Sequence, residues 1–139
     1  FHVEKARGQL KAREVYANKE LKNHHGGVVK IGDHVFGFSD GAGWVWQDFM
    51  TGNPVLVAEQ KKLGKGSQTV ADGMIYLRLE GGKGTVVLLD PAPTGWNEKG
   101  RFDQPDRSNK NSWPHPVVAN GRLYLRDQDI LLAYDVKRR

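Results

Sequence analysis

The residues best equipped for chemistry stand just ahead of three segments of similar pattern. Asn-His-His-Gly-Gly (23–27) runs into VVKIGDHVFGF, Leu-Gly-Lys-Gly-Ser (63–67) into QTVADGMIYLRL, and Ser-Trp-Pro-His-Pro (112–116) into VVANGRLYLRD. Aligned on the segments that follow, His25, Lys65 and Trp113 are equivalent, and so are Gly27, Ser67 and His115. Imidazole ligates zinc, copper or iron and serves as a base near neutral pH. His24 and His25 are neighbours, and neighbours on an extended strand point to opposite faces, so at most one of them joins His115 at a ligand. Three roles are open for these histidines: hydrogen bonding that holds the segment, contact with a ligand, and metal binding. A metal site needs three or more ligands, and no carboxylate stands beside them in the sequence, so no metal ligand is assigned.

The other reactive groups have plainer readings. Asp40 in SDGAGW and Glu80 in LEGGKG invite calcium, but neither loop alternates oxygen ligands as a calcium loop does; turns between strands account for both. Gly64-Lys65-Gly66-Ser67 lacks the strand-to-helix context of a phosphate loop, and close backbone approach explains its glycines. Asp48, Asp90 and Asp135 recur at one place in each segment, where a strand ends. An acid repeated in that way is predicted to cap the following turn through its side-chain oxygens. No catalytic residue is assigned.

The elements that position these groups form a repeat. Each segment pairs an apolar strand with a second one across a two-residue turn, Gly32-Asp33, Asp72-Gly73 or Asn120-Gly121, a strong hairpin signal. The second strands open on Val35-Phe36, Ile75-Tyr76 and Leu123-Tyr124, pairs suited to a strand buried on both faces. A third strand follows in each copy, GWVWQDF, GTVVLLD and DILLAYD, and in two copies a Thr-Gly turn (Thr51-Gly52, Thr94-Gly95) leads to a more polar fourth. The turns open at residues 32, 72 and 120, a spacing of 40 and then 48, the blade period of a β-propeller.

The predicted fold is therefore all-β, a partial β-propeller of about three four-stranded antiparallel blades. Residues 1–22 are expected to form the outer strand of a preceding blade, 23–62 and 63–111 two whole blades, and 112–139 the first three strands of another. Three blades are too few for an ordinary ring, and the chain opens on Phe1, so a fragment of a larger propeller is expected, or else an open arc whose ends a partner must cover. The first strand of a blade lines the central channel, which places His25, Lys65, Trp113 and His115 at the channel rim as candidate ligand contacts. Residues 94–116 are the longest irregular stretch, an exposed crossing or a substrate-facing loop in which Arg107, Lys110 and Asn111 would make the contacts.

Composition narrows the partners. A formal charge of +5 is spread among interleaved acidic and basic residues, without the clustered basic stripe of a nucleic-acid surface. The longest apolar runs are strand-sized, far short of the roughly 20 residues of a membrane-spanning helix. The absence of cysteine excludes disulfides and thiolate metal sites.

The blocks VVANGRLYLRDQDILLAYDV (117–136), TVADGMIYLRLEGGKGTVVLLD (69–90) and GWVWQDFMTGN (43–53) resemble the repeat of pyrroloquinoline-quinone-type propellers, the quinoprotein alcohol dehydrogenase-like superfamily. NHHGGVVKIGDHVFGFSDGAGWVWQDF, KLGKGS and WPHPVVANGRLYLRDQD resemble the C-terminal blades of bacterial quinone-binding-like repeat proteins. The resemblance implies a bacterial, periplasmic or secreted binding or scaffolding module, whose partners are the remaining blades, another protein, or a small molecule at the channel mouth. Some superfamily members without cofactor are assembly scaffolds. The alternative it implies is part of a quinone-dependent alcohol dehydrogenase, with pyrroloquinoline quinone and calcium bound by the full-length parent. The chain departs from that pattern: the tryptophan expected after each Thr-Gly turn falls at Leu56 in one copy and comes too early, as Trp96, in the other.

Overall fold

The computed structural model describes residues 1–57, 63–92 and 95–137, and every regular element among them is a β-strand. β1 (His2–Ala6) and β2 (Gln9–Arg13) form a two-stranded sheet. β3 (Val28–Ile31), β4 (His34–Ser39), β5 (Gly43–Asp48) and β6 (Pro54–Val57) form the first blade. β7 (Gly66–Ala71), β8 (Met74–Leu79), β9 (Val86–Ala92) and β10 (Gly95–Phe102) form the second, and β11 (Val117–Ala119), β12 (Arg122–Asp127) and β13 (Ile130–Asp135) a third. Each sheet is an antiparallel meander in chain order, the unit of a partial β-propeller. Thr94, the 62/63 blade boundary and the last two residues fall on or beside positions outside the described residues.

The N-terminal stretch departs from the single outer strand expected of 1–22. It forms a hairpin, with Ala6 opposite Gln9 across Arg7-Gly8, and both turn residues have positive φ, 51° and 81°. Because β2 leads into the innermost strand of the first blade, as β10 leads into β11, it takes the place of a fourth strand and β1 that of a third.

Turn chemistry sets the remaining hairpins. Asp72-Gly73 (φ 50° and 75°) and Asn120-Gly121 (φ 52° and 73°) are positive at both positions, the requirement of a type I′ turn. Gly32 alone is positive in the Gly32-Asp33 turn, so the reversed order of residues gives a different turn type, with glycine in the first position.

Blades pack face to face through adjacent residues that serve opposite interfaces. Ile75, Leu77, Val87 and Leu89 of the second blade join Phe36, Trp44 and Trp46 of the first in one buried cluster. Tyr76, next to Ile75, turns the other way and packs with Val86 against Leu123 and Leu125 of the third blade. Phe36 stacks on Trp44 with centroids 4.8 Å apart. Full burial of each such side chain stabilises by roughly 1.5–3 kcal/mol.

The interface of the second and third blades also holds a buried polar network. Arg78 of β8 and Asp127 of β12 are 2% and 0% exposed, with Arg78 Nη2 3.7 Å from Asp127 Oδ2. Asp127 accepts hydrogen bonds from Arg107 Nη1 at 2.7 Å, the Ser108 amide at 3.0 Å, Ser108 Oγ at 2.5 Å and Gln104 Nε2 at 3.0 Å. Arg78 donates to Gln104, Ser112 and the Arg126 carbonyl. Burial opposes ionisation of Asp127, but the hydrogen bonds from Ser108, Arg107 and Gln104 outweigh it and bring its pKa down to about 2. Gln104, Arg107, Ser108 and Ser112 are thus built into the interface, while residues 105, 106 and 109–111 are exposed. Arg107, expected as an outward contact, points inward and also donates to the Glu80 carbonyl, while the Asn111 carbonyl accepts from Gln128.

Candidate functional site at the inner rim

The segments that lead into β3, β7 and β11 meet at one edge of the arc, since the inner strands of successive blades are neighbours. Asn23 ties the first of them down, its side-chain amide donating to the carbonyls of His25, Gly27 and Phe38. Gly26, at φ 87°, lies against the Gly66 carbonyl of the next blade, where any side chain would overlap the backbone. Close approach of two blades is therefore the physical reason for glycine here.

His25 and Trp113 come together across the second blade, their rings stacked with centroids 5.0 Å apart and planes at 23°. His24 lies 5.3 Å from His25 and 6.2 Å from Trp113 by ring centroid. His25 Nε2 is 2.5 Å from Glu80 Oε2, with side chains 14% and 30% exposed. Glu80, assigned from sequence to a turn alone, therefore also links the second blade to the first. Lys65 Nζ pairs with Asp40 Oδ1 at 2.7 Å and lies 3.0 Å from His24 Nδ1. The hydrogen bond from Lys65 holds the Asp40 carboxyl below its ordinary range, against a small opposing effect of burial. Trp113 is 47% exposed, so the cluster presents an indole edge flanked by imidazole, ammonium and carboxylate groups.

Three of the four residues expected at the rim, His25, Lys65 and Trp113, are thus gathered there. His115, exposed on the third blade, reaches both the first and the second blade. Its ring packs against Gly27, and its Nδ1 lies 3.0 Å from the Gln68 carbonyl, placing a proton on that nitrogen. Gln68 went unnoticed in the sequence. It is 1% exposed, and its side-chain amide donates to the Gly27 and Phe36 carbonyls of the first blade, so it stitches all three blades. Flanked by Ser67 and Thr69 in β7, it carries no signal in the sequence that sets it apart from its polar neighbours.

Of the recurrent acids, Asp48 caps its turn as predicted, accepting from the Met50 and Thr51 amides at 3.0 and 2.7 Å and from Thr51 Oγ1 at 2.8 Å. These bonds hold its carboxyl below the ordinary range. Asp135 accepts from the Lys137 amide at 3.0 Å. Asp90 pairs with Lys99 at 3.0 Å.

The rim as built does not fit calcium, which requires six to eight oxygen ligands. Its two carboxylates, Asp40 and Glu80, are engaged by Lys65 and His25. Among the described residues no three His, Cys, Asp or Glu side chains are arranged to hold a metal ion.

No protein-family model and no curated protein matches the chain. Among solved structures it is similar to BamB from Moraxella catarrhalis, with a TM-score of 0.52 and 23% identity over 76% of this chain and 30% of that one. The chain therefore spans about three-tenths of that protein's length. The chain has the β-propeller fold. The likeness carries the fold and nothing finer.

Proposed function

We propose that the chain is part of a quinoprotein-like repeat propeller of the bacterial periplasm or exterior that acts as a binding or scaffolding module. The inner rim is its contact surface, with a protein as the main partner and a small molecule at the channel mouth as a second kind of ligand. The observation that carries this reading is the meeting of His24, His25 and Trp113 beside Lys65 and Asp40, drawn from three separate blades. An exposed tryptophan in a ring of charged groups is the composition of an interaction hot spot.

Photo-crosslinking tests this reading. Benzoylphenylalanine placed at position 113 of the intact parent protein, in cells, should give a discrete protein adduct. The same probe at exposed Leu131 should not give that adduct. Equal labelling from both positions, or none from position 113, refutes the rim. Reconstitution of the parent with pyrroloquinoline quinone and calcium, read by cofactor absorbance and dye reduction with alcohols, tests the oxidoreductase alternative. Turnover there would displace the scaffold reading.

A further inference from the structure

The two adjacent histidines of the rim respond to a proton in opposite ways. Lys65 Nζ lies 3.0 Å from His24 Nδ1 and 2.7 Å from Asp40 Oδ1. An ammonium group has donors and no acceptor, so His24 Nδ1 accepts here and the ring carries its one proton on Nε2. An imidazolium bears a proton on each nitrogen and would set donor against donor at Lys65. His24 therefore keeps this tie only while neutral. Its side chain is 62% exposed, so on charging it turns into water.

His25 is placed for the charged form. Its Nε2 lies 2.5 Å from Glu80 Oε2, a buried oxygen with no other hydrogen-bond donor among the described residues. A carboxylate oxygen withdrawn from water needs such a partner, so Nε2 keeps its proton in either state. The second proton adds at Nδ1, which is buried and unpartnered among the described residues. That missing partner opposes the charge, and two attractions act against it. One is the Glu80 carboxylate. The other is the stacked indole of Trp113, whose face attracts a cation. Of the remaining charged groups around the two rings, Asp40 of the first blade favours a charge on either and Lys65 of the second opposes it.

We propose that His24 and His25 form a proton-operated switch that sets how Trp113 is held at the rim. Histidine as a class changes charge between about pH 5 and 8, so the switch works across neutrality. In the neutral state His24 is tied to Lys65, and His25 is an uncharged neighbour from which the indole can part. In acid His24 releases Lys65, while His25 becomes a cation between Glu80 and Trp113 and clamps the indole. The clamped form withdraws one indole face, so the partner of the rim binds the neutral form. This control of binding rests on the rim being the contact surface proposed above, whereas the clamp rests on the contacts alone.

The test uses the intact parent protein labelled with 5-fluorotryptophan, the Trp113 resonance being identified by its loss in Trp113→Phe. From pH 8 to pH 5 that resonance should shift along a titration curve, and its broadening by a soluble gadolinium chelate should fall at least twofold. His25→Gln, which keeps a donor for Glu80 and takes no charge, should abolish the transition, and His24→Gln should leave it in place. The wild-type titration decides the matter even if a variant fails to fold. No transition, equal broadening at both pH values, or a transition that survives in His25→Gln overturns the clamp. A second arm reads the partner. Benzoylphenylalanine at exposed Lys22, whose carbonyl accepts from the Asp40 amide, should give at least threefold more adduct in permeabilised cells at pH 8 than at pH 5.5, and His25→Gln should remove the difference. Equal yields at both pH values overturn the control of binding. A fluorine transition without any adduct upholds the clamp and refutes the rim as a contact surface.

Discussion

Replacing Asp127 with asparagine should be the most damaging single-atom change in the molecule. The carboxylate is fully buried and gathers hydrogen bonds from Arg107, Ser108 and Gln104, with the Arg78 guanidinium 3.7 Å away. Asp127→Asn keeps the shape and removes the charge, leaving Arg78 and Arg107, with side chains 1% and 12% exposed, uncompensated at the interface. Breaking a buried pair from one side costs about 3–5 kcal/mol, a large share of the roughly 5–15 kcal/mol that holds a domain together. For a chain of this size the midpoint should fall by roughly 10–15 °C. The acid limb gives a second measure. The folded-state pKa of about 2 lies below the ordinary 3.8, so the contribution of this group is complete above pH 3.8 and disappears as the pH falls toward 2. By linkage it amounts to about 2 kcal/mol. Urea titrations from pH 7 to pH 2 on wild type and Asp127→Asn measure both quantities, with Lys99→Met, which breaks the exposed pair with Asp90, as a control expected to cost under about 1 kcal/mol. An Asp127→Asn protein within about 1 kcal/mol of wild type at pH 7, or one with an undiminished acid limb, would show that the network does not hold the blades.

Three further outcomes follow from the local geometry. Gly26→Ala sets a methyl on the Gly66 carbonyl at a positive φ and should cost more than Gly73→Ala, which meets only the left-handed penalty of about 1–2 kcal/mol; chemical denaturation ranks the two. Asp48→Ala frees the Met50 and Thr51 amides, so hydrogen exchange at those two residues should quicken while the core of the first blade keeps its protection. Lys65→Ala breaks the contacts with Asp40 and His24. The Asp40 carboxyl should then titrate at higher pH in NMR, with little change in the melting temperature.

How far the sequence discloses this molecule depends on the range of the interaction concerned. Asp72-Gly73 and Asn120-Gly121 announce their hairpins because the turn requires positive φ and only a few residue types accept it. Arg7-Gly8 makes the same kind of turn, but arginine is no turn signal, and the charged residues of β1 and β2 blur the alternation of a strand. The first hairpin was hidden for that reason. The rim became visible by aligning His25, Lys65 and Trp113 as equivalents, which is a statement about repeats and needs no contact. Glu80, Gln68 and the Arg78–Asp127 pair needed contacts. Arg78 and Asp127 are 49 positions apart on strands of different blades, and each looks like an ordinary polar residue at the end of a strand. Gln104, Arg107, Ser108 and Ser112 were hidden within an exposed crossing for a related cause: polar composition reads as solvent exposure unless the partners of those polar groups are known.

The stacking of His25 on Trp113 makes the propeller's curvature optically measurable. The two rings belong to the first and third blades, so their separation changes whenever the second blade tilts against either neighbour. Trp44 and Trp46 are buried and Trp96 is half-buried, which leaves Trp113 as the most solvent-exposed indole and the source of the reddest emission. Imidazole quenches indole at contact distance. An unlabelled sample therefore carries its own angle gauge, in which brightening at the red edge of the emission reports the arc opening and dimming reports it closing.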